Sequence, residues 1–181
     1  MPRTTPIAWV LITTLLVAPA LAQDKRREAA AHVHGAGKLA IAIEGNKLSI
    51  ALDAPADDIV GFEHAPKTPA QKAKLDAAVA KLQQAGTIFK TPPEAGCKQI
   101  KAEAGLEQPD PKAAKATDHA DFAGAFEFEC AAIGKLTAID LGYFAAFPGA
   151  GRLAITILSA KSQTTREATR AKPRIDLKGL N

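Results

Sequence analysis

Methionine is confined to Met1. A chain without internal thioethers lacks the soft ligands a Cu(I) carrier uses, although Cu(II) and Ni(II) stay open. Cysteine is scarce too: Cys97 and Cys130 are the only two, and no C-x-x-C redox motif exists. Beyond residue 22 the serines are Ser49, Ser159 and Ser162, none in a G-x-S-x-G elbow. H-E-x-x-H, the P-loop and G-x-G-x-x-G are also missing. With both cysteines expected to be bonded, no nucleophile stands out, and the chain is not expected to be an enzyme. Lysines and acids are interspersed, the formal charge is only +4, and no basic stripe carries interleaved aromatics. Nucleic acid is therefore not an expected partner.

What is present begins with an export pattern. Arg3 is the only charge before Asp24, an apolar run spans Ile7 to Val17, and Ala20-Leu21-Ala22 has the A-x-A form. This predicts a secretory signal peptide over residues 1–22, cut after Ala22. The run is short for a membrane span, and no cysteine follows the cut to carry a lipid. The exported chain is expected to be free of the membrane. An even cysteine count in an oxidising compartment predicts a Cys97–Cys130 disulfide. Closing a loop of about 34 residues is worth roughly 3.5–4 kcal/mol in the chain-entropy model. The rival reading is a pair of thiolate ligands.

The remaining residues, about 160, suit one domain. Residues 23–36 read as a charged leader carrying a His pair, 37–172 as a single α+β domain, and 173–181 as a loose tail. Leu39, Ile41 and Ile43, then Leu48, Ile50 and Leu52, alternate with polar or small residues around Gly45-Asn46. That is a hairpin of two half-buried strands with a primed turn. Ala54 to Pro66 reads as a loop. A helix then starts at Thr68, with Pro69 at its first position and Gln71 completing a capping box, and Gly86 as its stop. Leu75, Ala78, Val79 and Leu82 form its apolar stripe.

Cys97 to Ala104 and Phe122 to Cys130 are predicted strands, joined by the polar insertion Glu107 to Asp118 as a long hairpin loop. Leu136 to Leu141 and Leu153 to Ile157 are further strands, and Ser162 to Arg170 suits an exposed edge strand. Gly142 to Gly149 is an aromatic-rich connection, too short for a real helix, whose aromatics plug the core. The expected total is six or seven mostly antiparallel strands with one amphipathic helix.

Histidine is the residue type with the most chemistry to offer. The four are His32, His34, His64 and His119. Imidazole suits zinc, copper and nickel. His32 and His34 are two apart, so on an extended segment both point to one side. His119 is flanked by Asp118 and Asp121, which could ligate or orient the ring, and Glu63 stands beside His64. The candidate ligand set is His32, His34, His64, His119 and Asp121, enough for a zinc site. The spacing suits a solvated surface pair equally well, and His64 suits a ring satisfied by backbone.

Several motifs carry a resemblance: His32-Val33-His34-Gly35-Ala36 leading into Leu39 to Asn46; Gly61-Phe62-Glu63-His64-Ala65-Pro66; His119-Ala120-Asp121-Phe122 with Phe126 to Cys130; and Phe144 to Gly149. Across nearly the whole exported chain they resemble the ZrgA-type family of Gram-negative bacteria. The resemblance implies a periplasmic zinc-binding accessory protein or metallochaperone supporting zinc uptake. Its partner would be an ABC-type zinc importer or that importer's binding protein. Family members often carry a His-rich run in an insertion corresponding to Glu107 to Asp118, which here has no histidine. This departure counts against high-capacity zinc storage. The alternative reading is a non-metal envelope interaction module with incidental histidines.

Overall fold

The computed structural model describes residues 35–107 and 119–180. The expected signal peptide, the His32–His34 leader and residues 108–118 of the insertion lie outside the described residues. In chain order the elements are β1 (Ala36–Glu44), β2 (Lys47–Pro55), α1 (Ala56–Val60), α2 (Pro69–Gln83), α3 (Ala85–Ile88), β3 (Phe89–Lys90), β4 (Cys97–Glu107), β5 (Asp121–Cys130), β6 (Ala138–Leu141), α4 (Tyr143–Ala146), β7 (Arg152–Ser159), β8 (Gln163–Thr169) and β9 (Arg174–Asp176).

Alternation builds the main sheet. Leu39, Ile41 and Ile43 of β1 lie against Leu52, Ile50 and Leu48 of β2 in one antiparallel ladder. All six side chains are buried, while Lys38, Ala40, Ala51 and Asp53 point outward. Gly45 takes the positive φ, +58°, that its turn requires. The sheet runs β4-β5-β2-β1-β7-β8. β1 pairs with β7 in parallel, whereas the other neighbours in this sheet are antiparallel. Cys97 and Cys130 lie opposite one another across β4 and β5 and are disulfide-bonded. The predicted edge strand is present as β8.

One face of this sheet packs on the helices and on a small second sheet, β3-β6-β9. Phe122, Phe126, Leu153 and Ile155 from the large sheet share a core with Leu82, Ile88, Phe89, Ile139 and Tyr143. Phe89 and Phe126 meet with ring centroids 5.1 Å apart. Tyr143, Phe144 and Phe147 are all buried, so this connection does plug the core. It does so as one helical turn, α4, which a four-residue segment cannot announce by periodicity.

The α+β layout stands, with four corrections. The described residues hold nine strands in two sheets rather than six or seven. The extra strands, β3 and β9, are two and three residues long, too short to show alternation. Residues 56–60, expected within a loop, form α1, stopped by Gly61 in the left-handed region. α2 starts at its Thr68 cap as expected, Thr68 Oγ1 accepting from Gln71 N, but stops at Gln83 rather than at Gly86. The break is satisfied from a distance: the Gln99 amide donates to Gln83 O at 2.8 Å and accepts from Gly86 N at 3.2 Å. Finally, the segment after Pro173 is not loose. β9 pairs with β6, and Ile175 and Leu177 are buried.

The registers place the root of the leader, the entry to the Gly61–Pro66 loop and the His119–Phe122 segment at one end of the large sheet. Ala36, Pro55, Glu107, Asp121, Arg152 and Thr169 end their strands there. The Gly45-Asn46 turn, the disulfide and the Ser159–Ser162 turn occupy the opposite end.

Candidate metal centre

At the motif-bearing end, β2 runs through Pro55 directly into α1. Ala56 N donates to Ala120 O, and Ala120 N donates to Glu63 O. These two bonds stitch the loop after α1 to the residue preceding β5. Phe62 is buried and fixes the loop to the core, while His64 stacks on it with ring centroids 5.3 Å apart and planes at 29°. The stitching brings Glu63 against His119, with Oε2 2.6 Å from Nδ1. The carboxylate is nearly buried, its side chain 11 % exposed, whereas the imidazole is 55 % exposed. A sheltered acid thus holds a ring that faces solvent.

The partners set the tautomers. A carboxylate oxygen accepts, so His119 Nδ1 carries the proton and donates to Glu63. His64 Nδ1 lies 2.7 Å from Ala65 O, and a carbonyl can only accept, so this nitrogen is a donor as well. Both described histidines therefore commit Nδ1 and keep the Nε2 lone pair for a ligand. A carboxylate or carbonyl behind a ligating imidazole is the usual support of a metal-bound histidine.

The predicted site residues divide accordingly. His64 and His119 sit on segments stitched together. Asp121 is half-buried at the start of β5, opposite Pro55 and Glu107. It makes no cluster with the histidines: among the described residues no three His, Cys, Asp or Glu side chains gather as a metal-holding group. His32 and His34 lie outside the described residues. The sequence associated Glu63 with its neighbour His64, and the flanking Asp118 and Asp121 with His119. The structure instead gives Glu63 to His119, 56 positions on. No spacing rule signals that contact; only the shared Gly61–Pro66 motif marks the loop. Cys97 and Cys130 are taken by their disulfide and are not thiolate ligands.

The chain leading to the unseen His pair enters at the same end. Gly35 N donates to Asp58 Oδ1 at 2.7 Å, and Gly35 O accepts from Gly151 N and Arg152 N. Gly35 has φ +78°, which a side chain would strain. β2 alone separates β1 from β5, so the root of the leader and the start of β5 are about 10 Å apart across the sheet.

Close by, the Arg170 guanidinium donates to the carbonyls of Phe144, Pro148 and Ala150, fixing the aromatic connection beside Asp58. Asp58 is the one buried charged residue among those described. The Tyr143 phenol is held well above its ordinary pKa of 10.0, first by burial and second by the Asp58 charge.

The family model described as "ZrgA family zinc uptake protein" covers residues 31–177. No curated protein matches the chain.

Proposed function

Because this chain belongs to the ZrgA family of zinc uptake proteins, we propose that it is a periplasmic zinc-binding accessory protein or metallochaperone. It is exported by a cleaved signal peptide over residues 1–22 and carries zinc as cargo rather than catalysing a reaction. Its partner is an ABC-type zinc importer or that importer's binding protein. The observation that carries this reading is the shared state of His64 and His119. Each ring spends Nδ1 on a protein acceptor, which leaves Nε2 as the nitrogen available to a ligand. Zinc takes three or four nitrogen or oxygen ligands at about 2 Å. No such group is complete among the described residues, so this reading draws its further ligands from His32 and His34, just ahead of Gly35 in the sequence. The position of Gly35 supports this, since it roots the leader at the histidine-bearing end.

The ligands are few, so the reading predicts about one zinc per chain rather than bulk storage. Titration calorimetry on the exported form tests it. Binding with a Kd tighter than about 100 μM, a range worth more than about 5.5 kcal/mol, is expected, and no binding in that range refutes it. A second reading, a non-metal interaction module, rests on the outward sheet face, where the small residues Ala40, Ala51, Ala125 and Ala154 are exposed. Replacing His32 and His34 together by Ala separates the two. Zinc binding weakens under the first reading and nothing changes under the second.

A further inference from the structure

At its centre the outward face of the large sheet is not that of a solvated one. A sheet side that meets water ordinarily carries polar residues at its outward positions. Here the central positions are small and apolar: Ala40 and Ala42 on β1, Ala51 on β2 and Ala125 on β5. Alanine is depleted in strands, so local preference does not account for this run. Thr156 and Leu158 of β7 adjoin it, and Leu158 is 53 % exposed. Small side chains let a second surface come close to the backbone.

On the β1–β2 hairpin, charge stands only toward the two ends of this face. Lys38 lies opposite Asp53 and Glu44 opposite Lys47, with the Ala40–Ala51 and Ala42–Ser49 pairs between them. All four charged residues are exposed, and Lys38 Nζ stands 4.0 Å from Asp53 Oδ2 within the chain. The order is self-complementary. A half-turn about an axis running along the strands, between β1 and β2, lays β1 of each copy over β2 of the other. Lys38 of each copy then meets Asp53 of the other, Glu44 meets Lys47, and Ala40 meets Ala51. A half-turn about the axis across the strands, through Ala40 and Ala51, gives no such match. Lys38 would face Ala42, Asp53 would face Ser49, and Glu129 would face Asp121.

The dimensions agree. Packed sheets cross at about 30°, which displaces groups about 7 Å from the centre by about 3–4 Å, within the reach of a lysine side chain. The sheet has six strands. At about 4.8 Å between strands, and about eight residues of about 3.3 Å along each, the face covers roughly 750 Å². Two copies would bury roughly 1,500 Å², the size of a standard stable interface.

We infer that this face is an isologous interface between two copies of the chain, packed strand on strand about an axis between β1 and β2. The inference is independent of zinc carriage, and either can fail without the other.

Sedimentation equilibrium of the exported chain tests it, with a chelator present so that no metal bridges two copies. Half-association is expected below about 100 μM, the weak end for such an area because each alanine buries little. Lys38→Asp sets two carboxylates against each other at both symmetry-related contacts, and Asp53→Lys sets two ammonium groups there. Each alone is expected to weaken the dimer about ten-fold or more. Mixed in equal amounts, the two variants regain opposite charges at both contacts, and the mixed dimer is expected within about three-fold of the unaltered affinity. Ala40→Arg fills the centre of the face and is expected to abolish the dimer. In a monomer that side chain extends into water, so this variant keeps the test decisive where a charge variant does not fold. A chain that stays monomeric to about 100 μM overturns the inference and leaves the face to a different partner. So does a dimer that tolerates Ala40→Arg, because it uses another surface. A mixture of the two folded charge variants that associates no better than either alone overturns the stated packing.

Discussion

Replacing Glu63 with Ala strips His119 of its orienting carboxylate and leaves the imidazole in place. In the intact chain the 2.6 Å contact fixes both the tautomer and the ring's direction. Without it the proton redistributes between Nδ1 and Nε2, and the ring turns freely in solvent. Losing such a support costs 10–100-fold in metal affinity, or about 1.4–2.7 kcal/mol. Because the His119 ring is half-exposed, water can take over part of the lost hydrogen bonding. The expected loss therefore lies near the lower bound, about ten-fold. Glu63→Gln keeps an acceptor oxygen and should cost only a few-fold, while His119→Ala, which removes the ligand, should cost more than either. The backbone stitch from Ala120 N to Glu63 O does not involve the side chain and stays in place. Zinc titration calorimetry of the three variants, with a thermal melt of each, measures all of this. Glu63→Ala binding zinc like the unaltered chain, while His119→Ala loses it, refutes the orienting role. His119→Ala binding normally refutes the centre itself.

Three further outcomes follow from the fold. Replacing Cys97 and Cys130 by Ala should lower unfolding free energy by about 2–4 kcal/mol in urea melts, and a reductant should reproduce the loss in the unaltered chain. Tyr143 is the chain's single tyrosine, so tyrosinate absorbance reports it alone. Its folded-state pKa is raised, so this contribution to stability is complete below about pH 10 and declines as pH climbs above it. Tyrosinate should appear only as the protein unfolds in strong alkali, and a simple titration near pH 10 in the folded state would contradict the burial. Arg170→Ala removes three carbonyl contacts from a partly exposed guanidinium and should cost about 2 kcal/mol in the same melts, with little change if the aromatic connection is self-supporting.

Local rules carried much of the fold. The β1–β2 hairpin, the Thr68 cap, the core role of Tyr143, Phe144 and Phe147, and the cysteine pairing each follow from neighbours in sequence or from a compartment argument. The missed features depend on distant partners. α2 stops where it does because Gln99 satisfies the broken turn. β3 and β9 are held by pairing with β6, Phe89 opposite Leu141 and Ile175 opposite Ile139. Period-two patterning says which face of a strand is buried and nothing about which strands adjoin, so the parallel β1–β7 pairing had no trace. The candidate site followed the same divide: the histidines could be found by type, but the Glu63–His119 contact arises from two backbone bonds through Ala120.

That parallel pairing sets a timetable. Ala36 lies opposite Arg152, 152 − 36 = 116 residues further along. A chain emerging from its N-terminus at about 5–20 residues per second exposes β1 for roughly 6–23 seconds before β7 exists to cover its free edge. During that interval the central strand has β2 on one side and an open row of amides and carbonyls on the other. Closure of the sheet therefore waits until nearly the whole polypeptide has emerged. The strand that follows the histidine leader is held on both sides only once the last sixth of the chain arrives.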